Sequence, residues 1–542
     1  MPNALTRFHR RHGRGPLIAA ALAVGAAAIS LATPSPVAAD DGDTIDGRYS
    51  AGGVLAAGST LELDVTGRGG TASNAAAVSL NITVTQTAGP GHATVYPCGS
   101  QRPTSSSINY GTGMTIANAV VAKVGSGGKV CIHTSTQVHM VVDVDGYFPA
   151  GSGYRSLTPA RLLDTRRGQP TVDGRYAGGG IRKARSVIEL DVRNRGGVGN
   201  SARAVTLNLT ATQTGGAGFA TVYPCDEPRP LASTINYGPG ATIANGVTAK
   251  VGGDGRICVY THARAHLIVD VDGAFASRDE YRPLTPARVL DTRPGEQTVD
   301  GRAQGGGRRT AGTTLRLDVT ARGGTASNAT AVSLNLTATQ TGGAGFVTVY
   351  PCGSSKPAAS TLNYGAGATI ANGMTARVGD NGEICIFTSA STHLVVDVNG
   401  FFPPGSTYRG LTPARLLDTR SPAPPPPSDV AAARSLELLN ALRARHGVAP
   451  VTYDPGLSAS ALGWSQEMSR SGFRHSNIGL AENIAWHSQS AMSPTTAAET
   501  FHVMWENSSG HFRNMIDPRW TRVGIGLHAA GSGWYGTHIF DR

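Results

Sequence analysis

Residues 94–98 read TVYPC, and the same five letters recur at residues 221–225 and 348–352, an interval of 127 residues each time. Other segments keep this interval: INYG or LNYG from residues 108, 235 and 362, VDVDG or VDVNG from 142, 269 and 396, and LTPARLLDTR or LTPARVLDTR from 157, 284 and 411. No insertion disturbs the register. The pattern predicts three tandem copies of one domain, because a unit of this length can own a hydrophobic core.

Within a copy, apolar and polar residues alternate with a period of two. In VSLNITVT, residues 78–85, the apolar side chains fall on one face of a strand and the serine, asparagine and threonines on the other. Glycine clusters separate such runs, and much of the total of 71 glycines comes from predicted turns that recur in all three copies. About seven or eight short strands per copy predict an all-β domain, a β-sandwich or a jelly-roll-like barrel.

The six cysteines form three pairs, each 33 residues apart and one in each copy. In a secreted chain this spacing predicts one disulfide per domain, although bonds between copies are an alternative. Two cysteines per unit are too few for a structural zinc site. The predicted disulfide residues are Cys98, Cys131, Cys225, Cys258, Cys352 and Cys385.

Several polar residues also recur between the copies. His139, His266 and His393 precede a strand that contains Asp143, Asp270 or Asp397. The sequence favours strand and turn structure for these residues, with the aspartate accepting backbone N–H bonds in a turn, and a repeated sugar or ion site is the alternative. The N-x-T triplets at Asn81, Asn208 and Asn335 lie within strands, so we expect them to be chance matches to a glycosylation signal.

The N-terminus has the features of a secretory signal. A basic segment, RFHRRHGR, precedes the apolar run PLIAAALAVGAAAISLA and the small residues Val37, Ala38 and Ala39. No other stretch is apolar for long enough to span a membrane. We therefore expect a secreted protein, either released or held at the cell surface non-covalently.

The net charge of +11 falls to +7 when the four arginines of the first fourteen residues are set aside. No run of basic residues follows, so the sequence does not predict a nucleic-acid-binding protein. The eight residues SPAPPPPS at 421–428 contain five prolines and predict an extended spacer. The spacer separates the repeats from a segment of different character.

Helical patterns follow the spacer, and two strands end the chain. Residues 430–447 predict a helix with Asp429 as its N-cap and Gly447 at its C-terminus. A second helix is predicted after Asp454 and a third near residues 496–506, and the segment from residue 520 to 540 predicts a β-hairpin. Helices followed by strands indicate an α+β domain.

The order of FRHS, AENIAW, WENSSGHFRN, VGIG and a final aromatic strand resembles the CAP superfamily, also called the SCP domain, of the cysteine-rich secretory, antigen 5 and pathogenesis-related proteins. The resemblance covers residues 430–542 and implies an α-β-α sandwich with a groove lined by two histidines and two glutamates. It places His475, Glu482 and His511 in that groove, with Glu506 as the fourth residue and Glu499 as its alternative. Two imidazoles with carboxylates could hold a divalent metal such as zinc or calcium.

Together these patterns divide the chain into a signal peptide (1–39), three β-repeats (40–172, 173–299 and 300–420), a proline-rich linker (421–428) and a CAP domain (429–542). Whether LTPAR(L/V)LDTR starts or ends each repeat stays open. Three bodies and three following segments favour its ending a repeat, whereas similar bacterial surface repeats place it at the start.

Three functional hypotheses follow. The sequence favours a secreted, non-enzymatic binding protein whose CAP groove takes a divalent metal or a small apolar ligand, such as a lipid, presented on a stalk of β-repeats. One alternative is a metal-dependent hydrolase of peptide or cell-wall material, although no serine or cysteine has an evident base partner. The other is a carbohydrate or cell-wall adhesin that acts through the repeats.

Overall fold

The computed structural model describes residues 44–50, 52–420 and 429–541. The predicted signal peptide and proline-rich linker lie outside these described residues. The described chain is mostly antiparallel β structure, as the alternating patterns predicted, and its α-helices follow residue 429.

Each repeat contributes eight strands in the same order. The first repeat has β1 (Thr60–Asp64), β2 (Ala75–Thr85), β3 (Gly91–Pro97), β4 (Ile108–Tyr110), β5 (Ile116–Lys123), β6 (Lys129–Thr134), β7 (His139–Pro149) and β8 (Tyr154–Asp164). The second has β9 (Ser186–Asp191), β10 (Ala204–Thr212), β11 (Gly218–Pro224), β12 (Ile235–Tyr237), β13 (Ile243–Lys250), β14 (Arg256–Thr261), β15 (His266–Phe275) and β16 (Arg282–Asp291). The third has β17 (Thr313–Asp318), β18 (Ala331–Thr339), β19 (Gly345–Pro351), β20 (Leu362–Tyr364), β21 (Thr369–Arg377), β22 (Glu383–Thr388), β23 (His393–Phe402) and β24 (Arg409–Asp418).

The strands form two four-stranded sheets in each of three units. The smaller sheets have the orders β1-β6-β3-β4, β9-β14-β11-β12 and β17-β22-β19-β20. The larger ones are β24-β7-β2-β5, β8-β15-β10-β13 and β16-β23-β18-β21. Alternate apolar residues of the sheets fill a core in each unit, as Leu80, Ile82 and Val84 do with no exposed surface.

The strand that carries LTPAR(L/V)LDTR does not pair with the repeat that precedes it. Strand β8 pairs with β15 of the second repeat, and β16 pairs with β23 of the third. Strand β24, which follows the third repeat, pairs with β7 of the first. The exchange therefore runs around a closed ring of three units, whereas the sequence analysis predicted a stalk.

Buried ion pairs fasten each exchanged strand. The Nε atom of Arg161 on β8 donates to Asp270 Oδ1 at 2.9 Å, and Arg288 on β16 makes the same bond to Asp397 at 2.9 Å. Arg415 on β24 reaches Asp143 at 3.1 Å. The three aspartates thus lie in strands, as predicted, but they pair with arginines of the exchanged strands and do not lie in a turn.

A cycle of asparagines joins the three units at the centre of the ring. Asn118 donates to Asn208 Oδ1 at 2.9 Å, and Asn245 donates to Asn335 at 2.9 Å. Asn372 closes the cycle by donating to Asn81 at 2.8 Å. The asparagines of the three N-x-T triplets are therefore buried interface residues.

Six aromatic side chains pack beside this cycle where the three connections between repeats converge. Each side chain is at most 5 % exposed, and the rings of neighbouring units contact one another. They are Phe148, Tyr154, Phe275, Tyr281, Phe402 and Tyr408.

Each unit contains one disulfide bond. The pairs are Cys98–Cys131, Cys225–Cys258 and Cys352–Cys385, so the predicted pairing within copies is confirmed. In every pair the second cysteine lies on a strand of the smaller sheet.

The C-terminal domain is a separate α+β unit. Its elements are α1 (Val430–Arg445), β25 (Thr452–Tyr453), α2 (Pro455–Ser471), β26 (Ala481–His487), α3 (Pro494–Glu506), α4 (Ser509–Met515), β27 (Arg522–Ala530) and β28 (Gly533–Asp541). The sheet has the order β25-β27-β28-β26.

Helices cover both faces of this sheet, because alternate residues of β27 point to opposite sides. Gly524 and Gly526 face α2, and a Cβ on Gly526 would lie 2.1 Å from the Leu462 backbone nitrogen. Val523 and Ile525 face the other helices in the second core layer. Asp429 and Asp454 cap α1 and α2 by accepting backbone N–H bonds, as predicted for Asp429.

No helix within residues 44–50, 52–420 and 429–541 has the length and apolar character needed to span a membrane.

Candidate ligand-binding groove

The groove of the C-terminal domain begins at the loop before β26. Glu482, the second residue of β26, has a side chain that is 5 % exposed, whereas the His475 side chain is 59 % exposed. Glu482 Oε2 lies 2.8 Å from His475 Nδ1 and accepts a second hydrogen bond from the Ser476 backbone N–H at 3.0 Å. The carboxylate therefore fixes the orientation of the His475 ring and leaves Nε2 as its free ring nitrogen.

His511 approaches the same place from α4. Its ring centroid lies 6.5 Å from that of His475. Partial burial lowers the pKa of His511, and the neighbouring His475 lowers it further, so both causes favour the neutral imidazole. A neutral imidazole can accept a hydrogen bond or ligate a metal.

Two asparagines hold α4 against β26. Asn483 donates to the His511 carbonyl at 3.0 Å, and Asn514 donates to Asn483 Oδ1 at 2.9 Å. These side chains satisfy backbone and amide groups at the base of the groove.

The predicted fourth residue of the site lies elsewhere. Glu506 contacts Arg445 of α1 at 3.3 Å, and its Oε2 atom is 3.6 Å from His502 Nε2. The alternative, Glu499, binds Arg434 of α1 at 2.8 Å. Both glutamates face α1, so the structure brings together His475, Glu482 and His511 but not an acid from α3.

Apolar side chains form most of the groove wall around the two histidines. The cavity has a volume of about 480 Å³, and Phe473, Trp486 and Met504 line it while being 52 %, 42 % and 39 % exposed. These residues were not among the predicted site residues, although Phe473 and Trp486 belong to FRHS and AENIAW and Met504 directly precedes WENSSGHFRN.

The residues present fit a divalent metal only in part. Two imidazoles bound to one tetrahedral zinc ion would have centroids about 5 Å apart, given Zn–N bonds of about 2.0–2.1 Å. The rings are 6.5 Å apart, so a small rotation would suffice for both to bind. However, within the described ranges no group of three or more His, Cys, Asp or Glu side chains is arranged to hold a metal.

The C-terminal domain is similar to known proteins. The family model of the cysteine-rich secretory protein family, CAP, matches residues 436–540, which contain His475, Glu482 and His511. The C-terminal domain is a CAP domain. The match covers this domain and not the ring of β-repeats.

The relatives resemble the chain over the CAP domain as well. The uncharacterized protein YkwD of Bacillus subtilis (strain 168) is 31 % identical over 121 residues, which are 20 % of this chain and 47 % of YkwD. The chain therefore spans about half the length of this curated relative.

Two solved structures are also similar to part of the chain, at lower identity. An extracellular protein with an SCP domain from Bacillus anthracis str. Ames is 18 % identical, with a TM-score of 0.17, over 28 % of this chain and 54 % of that one. NaASP2, solved with Zn2+, is 19 % identical, with a TM-score of 0.19, over 21 % of this chain and 80 % of its own.

Proposed function

We propose that this protein is an extracellular binding protein whose CAP groove takes a small amphipathic ligand. The observation that carries the proposal is the groove wall, where three large apolar side chains remain about half exposed around a cavity of about 480 Å³. Exposed apolar surface that lines a concave site is typical of a ligand-binding groove. The apolar part of the ligand would cover Phe473, Trp486 and Met504.

A polar end of the ligand would meet the two histidines. His475 presents its Nε2 atom because Glu482 occupies its Nδ1 atom, and His511 stands beside it on α4. The buried Glu482 Oε1 atom has no hydrogen-bond partner among the described residues, which suits a ligand or water that donates a hydrogen bond there. A lipid with a hydroxyl or carboxyl head group has this combination of parts.

Titration with a dansyl-labelled fatty acid tests the apolar groove. Excitation of Trp486 should give energy transfer to the bound dansyl group in a saturable manner. Trp486→Ala removes a contact worth about 1.5 kcal/mol or more and should weaken binding by about tenfold.

Val503→Gln supplies the matched control. Val503 is 54 % exposed and lies next to Met504 on α3, yet it does not line the groove. Its replacement should leave the affinity unchanged, whereas Met504→Gln should reduce it. Non-saturable binding, or equal effects of the two glutamine substitutions, would contradict an apolar ligand site in the groove.

A zinc site at His475 and His511 is the second candidate. The hydrogen bond from His475 Nδ1–H to Glu482 would be the usual outer-shell contact of a zinc-bound histidine, and two coordination positions would remain open. Calorimetric titration with ZnCl2 should show one binding event that His475→Ala abolishes and Glu482→Gln weakens by about 10- to 100-fold. His446→Ala, which removes an exposed histidine outside the groove, should bind zinc as the unmodified protein does.

The hydrolase and cell-wall adhesin hypotheses stay predictions.

A further inference from the structure

A chamber with a mixed polar and apolar wall lies between the three units of the ring, apart from the CAP groove. Its wall takes corresponding residues from every unit, including the hydroxyl-bearing side chains of Ser79, Thr206 and Ser333. Thr248 and Thr375 add two further hydroxyls. The chamber has a volume of about 30 Å³, which is enough for about two water-sized occupants.

One carboxylate faces this chamber without a partner. Asp272 is 8 % exposed and belongs to the chamber wall. No described residue forms a hydrogen bond or an ion pair with its side chain, whereas Asp270, two residues earlier on β15, is bound by Arg161. A buried carboxylate ordinarily has a counter-charge or a metal ion, because removing it from water costs several kcal/mol.

The backbone explains how Asp272 comes to point there. The pairing of β10 with β15 shifts between Thr206 and Leu207, so Asp272 is the extra residue of a β-bulge. The same shift places Asp145 in β7 and Asn399 in β23 at equivalent bulges. A bulge re-aims one side chain out of the ladder, and it recurs in all three units.

We propose that the chamber binds a hard cation, with Asp272 as its charged ligand and neighbouring hydroxyl oxygens as neutral ligands. The polar side-chain atoms of the wall are the Asp272 carboxylate and five hydroxyls, and the remaining side chains are aliphatic apart from the thioether of Met374. Calcium and sodium prefer oxygen ligands, and calcium accepts flexible geometry completed by water. This inference concerns the ring and does not depend on the CAP groove.

The chain itself offers a separate probe for each part. All five tryptophans lie in the CAP domain, together with only two of the fifteen tyrosines, Tyr453 and Tyr535, so tyrosine signals report mainly the ring and tryptophan fluorescence reports the CAP domain. Full-length protein freed of metal by a chelator would be unfolded thermally in CaCl2, in NaCl and in choline chloride at equal ionic strength. Near-UV circular dichroism of tyrosine gives the melting temperature of the ring.

We expect CaCl2 or NaCl to raise this melting temperature by about 2–4 °C over choline chloride, because a ligand that binds only the folded state stabilises it. Asp272→Asn should abolish the rise, and Thr206→Val should reduce it. Asn399 at the equivalent bulge shows that a carboxamide fits this backbone, so Asp272→Asn is a mild structural change. A rise with CaCl2 alone identifies a divalent site, and a rise with both salts a site that also accepts sodium.

Asp279→Asn is the matched control, because it removes the same charge from a side chain that is 96 % exposed. Its melting temperature should respond to the cation as the unmodified protein does. Tyrosine-sensitised luminescence of Tb³⁺ gives a second readout, since the Tyr154 hydroxyl lies 2.8 Å from Thr206 Oγ1 in the chamber wall. Calcium should displace the bound Tb³⁺.

A protonated Asp272 in an empty chamber would give the opposite result. Burial raises the pKa of the Asp272 carboxyl, so a proton could neutralise it instead of a cation. In that case no salt would shift the melting temperature, Tb³⁺ would not luminesce, and Asp272→Asn would raise the stability of the ring. This combination would overturn the proposal.

Discussion

His538 should make the CAP domain sensitive to mild acid. The ring of His538 is fully buried on β28, where it accepts or donates one hydrogen bond with Ser435 Oγ at 2.8 Å and packs against Trp505. Burial, together with a smaller effect of the nearby His502, lowers the pKa of His538 from 6.5 to about 3. The native state therefore keeps His538 neutral at pH values where an unfolded chain would protonate it.

The direction and size of this pH effect on the stability of the CAP domain follow from proton linkage. Between pH 6.5 and pH 3 the unfolded state binds more protons at this site, so the free energy of unfolding falls as the pH falls. Above pH 6.5 His538 is mostly neutral in both the folded and the unfolded state, so the CAP domain keeps its full stability there. From pH 7 to pH 4.5 the expected loss from His538 alone is about 2.5 kcal/mol, at 1.36 kcal/mol for each pH unit below 6.5. The lowered pKa values of His502 and His511 act in the same direction.

Urea unfolding followed by tryptophan fluorescence at several pH values measures this loss in the CAP domain, because the ring of β-repeats contains no tryptophan. His538→Gln should flatten the pH dependence by about 2.5 kcal/mol over this range, even though the lost bond to Ser435 lowers stability at every pH. His446→Gln controls for the loss of an exposed histidine and should keep the original slope. A CAP domain whose stability changes by less than about 0.5 kcal/mol over this range, or an unchanged slope in His538→Gln, would refute the reasoning.

Three further predictions concern the ring, with its melting followed by tyrosine circular dichroism. Arg415→Met should lower the free energy of unfolding by about 3–5 kcal/mol, because it removes the arginine that pairs with the buried Asp143 carboxylate. Arg161→Met, which removes the partner of Asp270, should lower it as much. A loss below about 1 kcal/mol for Arg415→Met alone would mean that β24 does not close the ring. Gly373→Ala should lower stability by about 1–3 kcal/mol, since its Cβ would lie 1.9 Å from the Gly246 carbonyl oxygen. Gly343→Ala, whose Cβ would have nothing within 4 Å, should change stability by less than about 0.5 kcal/mol. Equal effects of the two substitutions would contradict the close approach of the units. Removal of one disulfide by the double substitution of Cys98 and Cys131 by serine should cost about 3–4 kcal/mol, and a cost near zero would show that the closed loop does not constrain the unfolded chain.

Local patterns in the sequence predicted the parts of the ring but not its closure. The alternation in residues 78–85 and the cysteine spacing depend on contacts within one unit, so they could be read from one copy. The partner of β8 could not, since a nearly identical segment follows each repeat and nothing within it distinguishes its own copy from the next. Counting bodies and segments could not decide either, because a closed ring gives equal numbers whichever unit the segment completes.

The CAP groove shows a similar division. His475 and Glu482 come together through a short loop, and the resemblance to the CAP motifs had placed both in the groove. The choice of Glu506 depended on helix phase, which the motif does not specify. Residues of an α-helix are separated by about 100° around its axis, so Met504 and Glu506 point about 200° apart. With Met504 lining the groove, Glu506 necessarily faces α1 and Arg445.

Strand exchange makes the three units mutually dependent. Each larger sheet receives an outer strand from the preceding repeat, and Arg161 on such a strand also donates to the Thr104 carbonyl of its own repeat at 3.2 Å. The asparagine cycle adds contacts that exist only when all three units are in place. In a linear repeat array, stability is a sum over neighbours and an end can fray alone. A ring closed by β24 has no end unit, so a lesion at any one joint weakens the whole ring.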